Sequence, residues 1–291
     1  MSYQPRRAPR HETRVIRGLR HHLTHWGPDS ESPIVFLHGW MDSGASFQFV
    51  VDSMSDDSSC VALDWRGFGQ SEWEPNGYWF PNYLADLDEL LEAVSPRQPA
   101  RLVGHSMGGN VASLYAGVRP ERVERLVNIE GFGLPRTSAD KAPARYREWL
   151  EQLRGTPAFS SYPSYDALAA SLVQRNPRLS ADRALFIARS WGVEHGAGAL
   201  RLRADPRHKL VNAVLYRREE AEACWRRVTA PVLFLLGAQS EFRARLGPDG
   251  TDEHFRQLFR ELRIETIAHA GHMLHHEQPE QAARLIQKFF S

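Results

Sequence analysis

Eleven residues, Ala100-Arg101-Leu102-Val103-Gly104-His105-Ser106-Met107-Gly108-Gly109-Asn110, constrain this chain more than any other stretch. A short apolar run meets Gly-x-Ser-x-Gly, and a helix-like stretch follows at once. A serine on a sharp strand-to-helix turn is strained, and side chains two residues to either side would collide with that turn. Gly104 and Gly108 remove the collision and leave the Ser106 hydroxyl exposed. Ser106 then sits at a helix N-terminus, where free backbone N–H groups favour a developing negative charge. An ordinary Gly/Ser turn carries the same five letters. The strand before and the helix after are what single out an exposed, activatable serine.

The rest of the chain supplies a sheet around this turn. Residues 34–37, 60–63, 102–104, 123–129 and 232–237 are continuous apolar runs, as in strands buried on both faces of a parallel sheet. Helical spacing separates them at 46–54, 83–94, 106–119 and 217–227, and the chain closes with a helix at 252–262, a strand at 264–268 and a helix at 280–290. Residues 13–16 and 18–26 read as an antiparallel pair. From about 134 to 210 the alternation breaks, and only helical patterns remain, at 141–153, 165–175 and 181–191. The expectation is an α/β fold with an eight-stranded, mostly parallel sheet flanked by helices. Residues 1–134 and 213–291 would form its core, and 135–212 a helical cap.

Composition narrows the partners. Apolar residues make up 42% of 291, enough for a large core, and 36 basic against 35 acidic residues leave a net charge of +1. Nothing in that balance points to nucleic acid or to membrane insertion, and no run approaches transmembrane length. Cys60 and Cys224 form no disulfide framework and read as reduced core residues of a cytoplasmic protein. Residues 1–18 are rich in Arg, Pro and His and lack the apolar stretch of a secretory signal, so the first dozen are expected to be a loose arm. Oligomeric state is left open.

Four motifs recur in a fixed order: His38-Gly39-Trp40, Asp64-x-Arg66-Gly67-x-Gly69-x-Ser71, Gly104-x-Ser106-x-Gly108 and Gly271-His272. With them, the chain from 13 to 290 resembles the α/β-hydrolase superfamily. It is most similar to the capped serine esterases and C–C-bond hydrolases, with haloalkane dehalogenases and epoxide hydrolases as cousins. The resemblance implies that Ser106 is the nucleophile and that His272, after the last strand, is its base. His275 and His276 lie close by and are expected to be structural or solvated. The oxyanion hole would be the backbone N–H groups of Trp40 and Met107. The Asp64–Ser71 turn recurs in relatives of differing chemistry and reads as structural.

The carboxylate that orients His272 is where the sequence departs from the common pattern. Its usual place, three residues after Gly237, is Ser240. Glu241 follows it, beside Arg243 and Arg245 in a polar loop. Glu130 closes the 123–129 strand, where some dehalogenase-like relatives carry the acid. A charged residue ending a buried strand is costly unless paired or catalytic, so Glu130 is favoured and Glu241 is the alternative.

The activity implied is hydrolysis of small to medium carboxylic esters through an acyl-enzyme, with no metal and no cofactor. Histidines are scattered along the chain, and no Cys-x-x-Cys occurs. Serine at 106 argues against the dehalogenase and epoxide-hydrolase reactions, which need an Asp nucleophile. C–C-bond hydrolysis, thioester or lactone hydrolysis would use the same residues, and a receptor-like binding protein on this fold is the third reading. Substrate choice would lie in the cap, whose aromatics (Tyr146, Trp149, Phe159, Tyr162, Tyr165, Phe186 and Trp191), with Trp40, suggest an apolar acyl pocket.

Overall fold

The continuous apolar runs form the middle of a single sheet. The computed structural model describes residues 2–55, 57–196 and 198–291. The chain opens with strands β1 (Arg10–Ile16), β2 (Leu19–Trp26) and β3 (Ile34–Leu37), then α1 (Gln48–Asp52), β4 (Cys60–Leu63) and α2 (Phe80–Val94). The turn at Ser106 joins β5 (Ala100–His105) to α3 (Met107–Val118), and β6 (Val123–Ile129) follows. An inserted segment carries α4 (Ala142–Gln152), α5 (Tyr165–Arg175), α6 (Ala181–Trp191), β7 (Gly192–His195) and β8 (Ala199–Leu202). The sheet is completed through α7 (Arg218–Trp225), β9 (Val232–Gly237), α8 (Asp252–Leu258) and β10 (Leu262–Ile267), and the chain closes with α9 (Leu274–Glu277) and α10 (Pro279–Phe290).

The eight strands lie in the order β1-β2-β4-β3-β5-β6-β9-β10. β4, β3, β5, β6, β9 and β10 pair in parallel with their neighbours in that order, while β2 runs antiparallel to both β1 and β4. Period-2 alternation sends Val35, Leu37, Leu102 and Phe234 to one face, onto α2, α3, α7 and α8. It sends Phe36, Val103, Val127 and Leu235 to the other, onto α1 and α10. Both faces are therefore dry, and polar chemistry is confined to the loops at the strands' carboxyl ends.

Two expectations need correction. The inserted segment is not helical throughout: β7 and β8 pair antiparallel, with Gly192 opposite Leu202 and Glu194 opposite Leu200. A four-residue strand is too short to show a period, and its neighbours Gly196 and Gly198, both at positive φ, read in sequence only as punctuation. Nor is the start of the chain loose. The Asp52 carboxylate accepts from the Tyr3 hydroxyl at 2.8 Å and from the backbone N–H groups of Arg6 and Arg7 at 3.0 and 2.8 Å. Tyr3 packs edge-on against Phe49 and Phe186, so the arm straps α1 to α6. That anchor depends on residues about 45 positions away, which local composition cannot reveal.

The Asp64–Ser71 turn is a structural knot. Asp64 accepts from Gly44 N at 2.7 Å, Gln70 N at 2.9 Å and His22 Nδ1 at 2.9 Å. Its neighbour Trp65 clamps His38, donating from its backbone N–H to His38 Nε2 and from its indole to the His38 carbonyl, both at 2.9 Å. The loop leading to Trp40 is thereby fixed from behind. The described residues contain no helix long and apolar enough to cross a membrane.

His208 is stacked between Phe68, at 3.8 Å, and Tyr78, at 3.5 Å. Burial pushes its pKa from the usual 6.5 down to about 3, against the pull of Asp205. The folded chain thus binds fewer protons at this site than the unfolded chain between those values, so stability rises with pH there. Stability should fall as pH drops from about 6.5 towards 3, and His208→Gln should flatten that slope in urea titrations at successive pH values. An unchanged slope in the variant would assign the acid sensitivity elsewhere.

Candidate active site

Ser106 sits between β5 and α3 at φ 48°, ψ −112°, outside the regions a serine normally occupies. Packing dictates the two flanking glycines. A Cβ on Gly104 would lie 2.5 Å from the Gly108 carbonyl oxygen, and one on Gly108 would run into the backbone of Leu37 in β3. The strained turn is held from outside by the Ser106 N–H, which donates to the Ile129 carbonyl at 2.8 Å. Asn128, one residue earlier in β6, accepts from Gly131 N at 2.7 Å and donates to Gly109 O, Ser113 Oγ and Gly131 O. The ends of β5 and β6 are thus locked into one unit.

Ser106, His272 and Glu130 meet in a hydrogen-bonded line. His272 Nε2 lies 3.1 Å from Ser106 Oγ, and Nδ1 lies 3.1 Å from Glu130 Oε2. A carboxylate only accepts, so Nδ1 carries the proton and Nε2 is free to accept from the serine hydroxyl. Glu130 is 3% exposed and itself at positive φ, 56°. Gly237 N donates to its Oε1 at 2.8 Å, and the Ser240 hydroxyl donates to Oε2. The residue in the customary acid position is therefore present at the site, as a donor to a carboxylate that arrives from the neighbouring strand. Glu241 is exposed and makes no hydrogen bond to His272.

Of the two amides expected to face an oxyanion, Met107 directly follows the serine, and Trp40 follows Gly39, whose added Cβ would lie 3.2 Å from Ser106 Cβ. Met107 N–H opens α3 and has no acceptor within the helix. Trp40 N–H follows the clamped His38-Gly39 and has no acceptor among the described residues. Gly39 is required because a Cβ there would approach His105 Nδ1 to 2.7 Å. The Trp40 indole is 52% exposed and is not core packing.

Two contributors escape sequence reasoning. Phe242 stacks flat on the His272 ring, 3.9 Å between centroids and 15° between planes. His105, fully buried, lies with Nε2 3.0 Å from the His272 carbonyl oxygen. Burial, reinforced by the nearby His275 and His272, keeps its pKa well below the usual range. It is therefore neutral, with its one proton on Nε2. The only early signal was position, since His105 immediately precedes the candidate nucleophile. His275 and His276 are buried, so the solvated role is excluded. Among possible metal-holding groups of the described residues, Glu222 and Asp249 are already engaged by Arg136 and Arg218, and His254 faces the same two carboxylates.

Residues 32–279 match the family model for the α/β-hydrolase fold, and the chain belongs to that family. It is 28% identical over 272 residues to a serine hydrolase-like protein of Danio rerio, covering 91% of this chain and 83% of that one. It is 24% identical over 269 residues to the esterase YbfF of Escherichia coli, covering 90% and 94%. A thioesterase domain from the curacin biosynthetic pathway superposes with a TM-score of 0.86, covering 96% of this chain and 99% of that one, at 23% identity. At that identity the likeness establishes the fold alone.

The collision at Gly108 sets a test of the turn. Gly108→Ala should destabilise the protein by about 1–3 kcal/mol, because the new methyl must displace the β3 backbone. Urea unfolding measures it, and a stability equal to wild type would show that β3 yields freely.

Proposed function

We propose that this protein is a serine hydrolase that cleaves carboxylic esters of small to medium acyl chain through an acyl-enzyme. The observation that carries the reading is the line Ser106–His272–Glu130, with the serine on a strained turn at a helix N-terminus. Ser106 Oγ attacks the ester carbonyl while His272 Nε2 takes its proton, and Glu130 stabilises the resulting imidazolium. The Trp40 and Met107 amides receive the oxyanion. As the C–O bond of the intermediate breaks, the imidazolium proton passes to the departing alkoxide. Water, deprotonated by the same histidine, then releases the acid and restores Ser106.

Ser240 and the Gly237 amide hold the Glu130 carboxylate in place, and Phe242 and His105 fix the His272 ring and backbone. The segment 135–212 acts as a cap in this reading, and the exposed faces of Trp40 and Phe242 favour an apolar acyl group beside the serine. The named activities of the relatives, an esterase and a thioesterase among them, agree with acyl transfer to water. Thioesters and lactones fall within reach of the same residues.

Three variants test the roles. Ser106→Ala should lower kcat for p-nitrophenyl acetate by about 10⁴–10⁶-fold and abolish labelling by a fluorophosphonate. Glu130→Gln should lower kcat by about 10³–10⁴-fold, and Glu241→Gln should leave it within about twofold. Collapse of kcat on the Glu241 change alone would transfer the acid role to Glu241. Equal labelling of Ser106→Ala and wild type would remove the nucleophile assignment. Absence of an initial burst with every ester tried, alongside turnover of β-diketones, would favour C–C-bond cleavage.

A further inference from the structure

Behind the candidate active site, the Asp42, His275 and His276 side chains converge in the protein interior. All three are buried, and their ligand-type atoms lie within 4.8 Å of one another. His275 Nε2 is 3.4 Å and His276 Nε2 is 3.5 Å from the same oxygen, Asp42 Oδ2. These spacings are long for imidazole–carboxylate hydrogen bonds, which settle at about 2.7–2.9 Å when charge-assisted. His276 Nε2 in fact has no hydrogen-bond partner although it is buried and aimed at the carboxylate. The same spacings match the edge of a coordination tetrahedron: two ligands about 2.0–2.1 Å from one zinc ion lie about 3.3 Å apart.

We propose that Asp42 Oδ2, His275 Nε2 and His276 Nε2 form an inhibitory binding site for a borderline divalent transition metal such as Zn²⁺. Two imidazoles and a carboxylate are a donor set that zinc accepts. Coordination through Nε2 leaves the His275 ring proton on Nδ1, which has no acceptor among the described residues. The carboxylate is oriented through both oxygens: Oδ1 accepts from Ser43 N at 2.8 Å and from the Trp191 indole at 3.2 Å, and Oδ2 accepts from Ser46 Oγ at 2.9 Å, which leaves Oδ2 a second lone pair for an ion. Such outer hydrogen bonds are what hold a ligating carboxylate in register.

The position gives the site its consequence. Asp42 lies two residues beyond Trp40, on the loop assigned one oxyanion amide, and His275 lies three residues beyond His272. An ion shared by that loop and α9 replaces two long, weak contacts with bonds of about 2.0–2.1 Å, so the segments carrying Trp40 and His272 are held at one spacing and lose the freedom to adjust around Ser106. The inhibitory half of the inference rests on the proposed hydrolase function; the binding half does not.

The experiment titrates Zn²⁺ alone into the Ser106→Ala protein by calorimetry. One ion per chain is expected, with affinity lowered at least about tenfold in Ser106→Ala/His276→Gln. Co²⁺ in place of Zn²⁺ should give the visible absorption of a tetrahedral site, lost in Ser106→Ala/Asp42→Asn, so the result survives if the histidine variant fails to fold. In the otherwise wild-type enzyme, Zn²⁺ should suppress ester turnover reversibly to EDTA, and His276→Gln should remain active at the same concentration. No binding to Ser106→Ala, or equal binding by the His276→Gln form, overturns the site. Equal inhibition of wild type and His276→Gln overturns the inhibitory role and assigns the effect to His272.

Discussion

The backbone at Ser106 is strained, and much of the surrounding structure is what holds it there. A serine at φ 48°, ψ −112° costs on the order of 1–3 kcal/mol, a conformation that persists only when its surroundings over-determine it. Those surroundings are identifiable. The Ser106 N–H is tied to the Ile129 carbonyl, Asn110 N–H caps back onto the Ser106 carbonyl at 2.9 Å, and Asn128 bridges α3 to the end of β6. Gly104 and Gly108 are bare because β3 and the first turn of α3 already fill the space where a Cβ would go. The strain projects the hydroxyl off the end of the sheet instead of along it.

The same locking explains why a carboxylate from β6 serves this geometry. β5 and β6 are adjacent and parallel, with His105 opposite Ile129, so the residues after them leave the sheet side by side. Glu130 turns through a positive φ as Ser106 does. β9 lies on the far side of β6 and ends at Gly237, so its loop reaches the same point from the opposite flank. A carboxylate on either loop could meet a histidine delivered by the loop after β10. Here the β9 loop contributes Gly237 N–H and the Ser240 hydroxyl as donors to Glu130. A buried charge without such donors would be unstable.

Histidine imidazoles form the layer beneath. His105, His275 and His276 are packed ring to ring, with centroids 4.1 Å apart for the first pair and 4.0 Å for the second. Burial holds His105 and His275 below their usual pKa, and three like charges could not coexist at that spacing. Asp42 supplies a carboxylate that faces His275 and His276 and also receives the Trp191 indole from α6. α6, the loop after β3 and α9 therefore meet at the buried Asp42 carboxylate.

The sequence by itself determined the sheet and the turn. Continuous apolar runs, the spacing of α2 and α10, and two glycines around a serine are local signals, since each is decided by neighbours within a turn or a strand. Family membership was legible for the same reason, through four short motifs in order. Which of Glu130 and Glu241 meets His272 was a matter for tertiary structure, because it depends on how β6 and β9 lie relative to a loop more than 140 residues further along from Glu130. The Phe242 stack, the His105 contact, the Tyr3–Asp52 strap and the convergence of Asp42 with His275 and His276 were invisible in the sequence for that reason. Each joins residues from separate loops, and a side chain's partner across such a distance is set by the packing of the whole sheet, which no local pattern encodes.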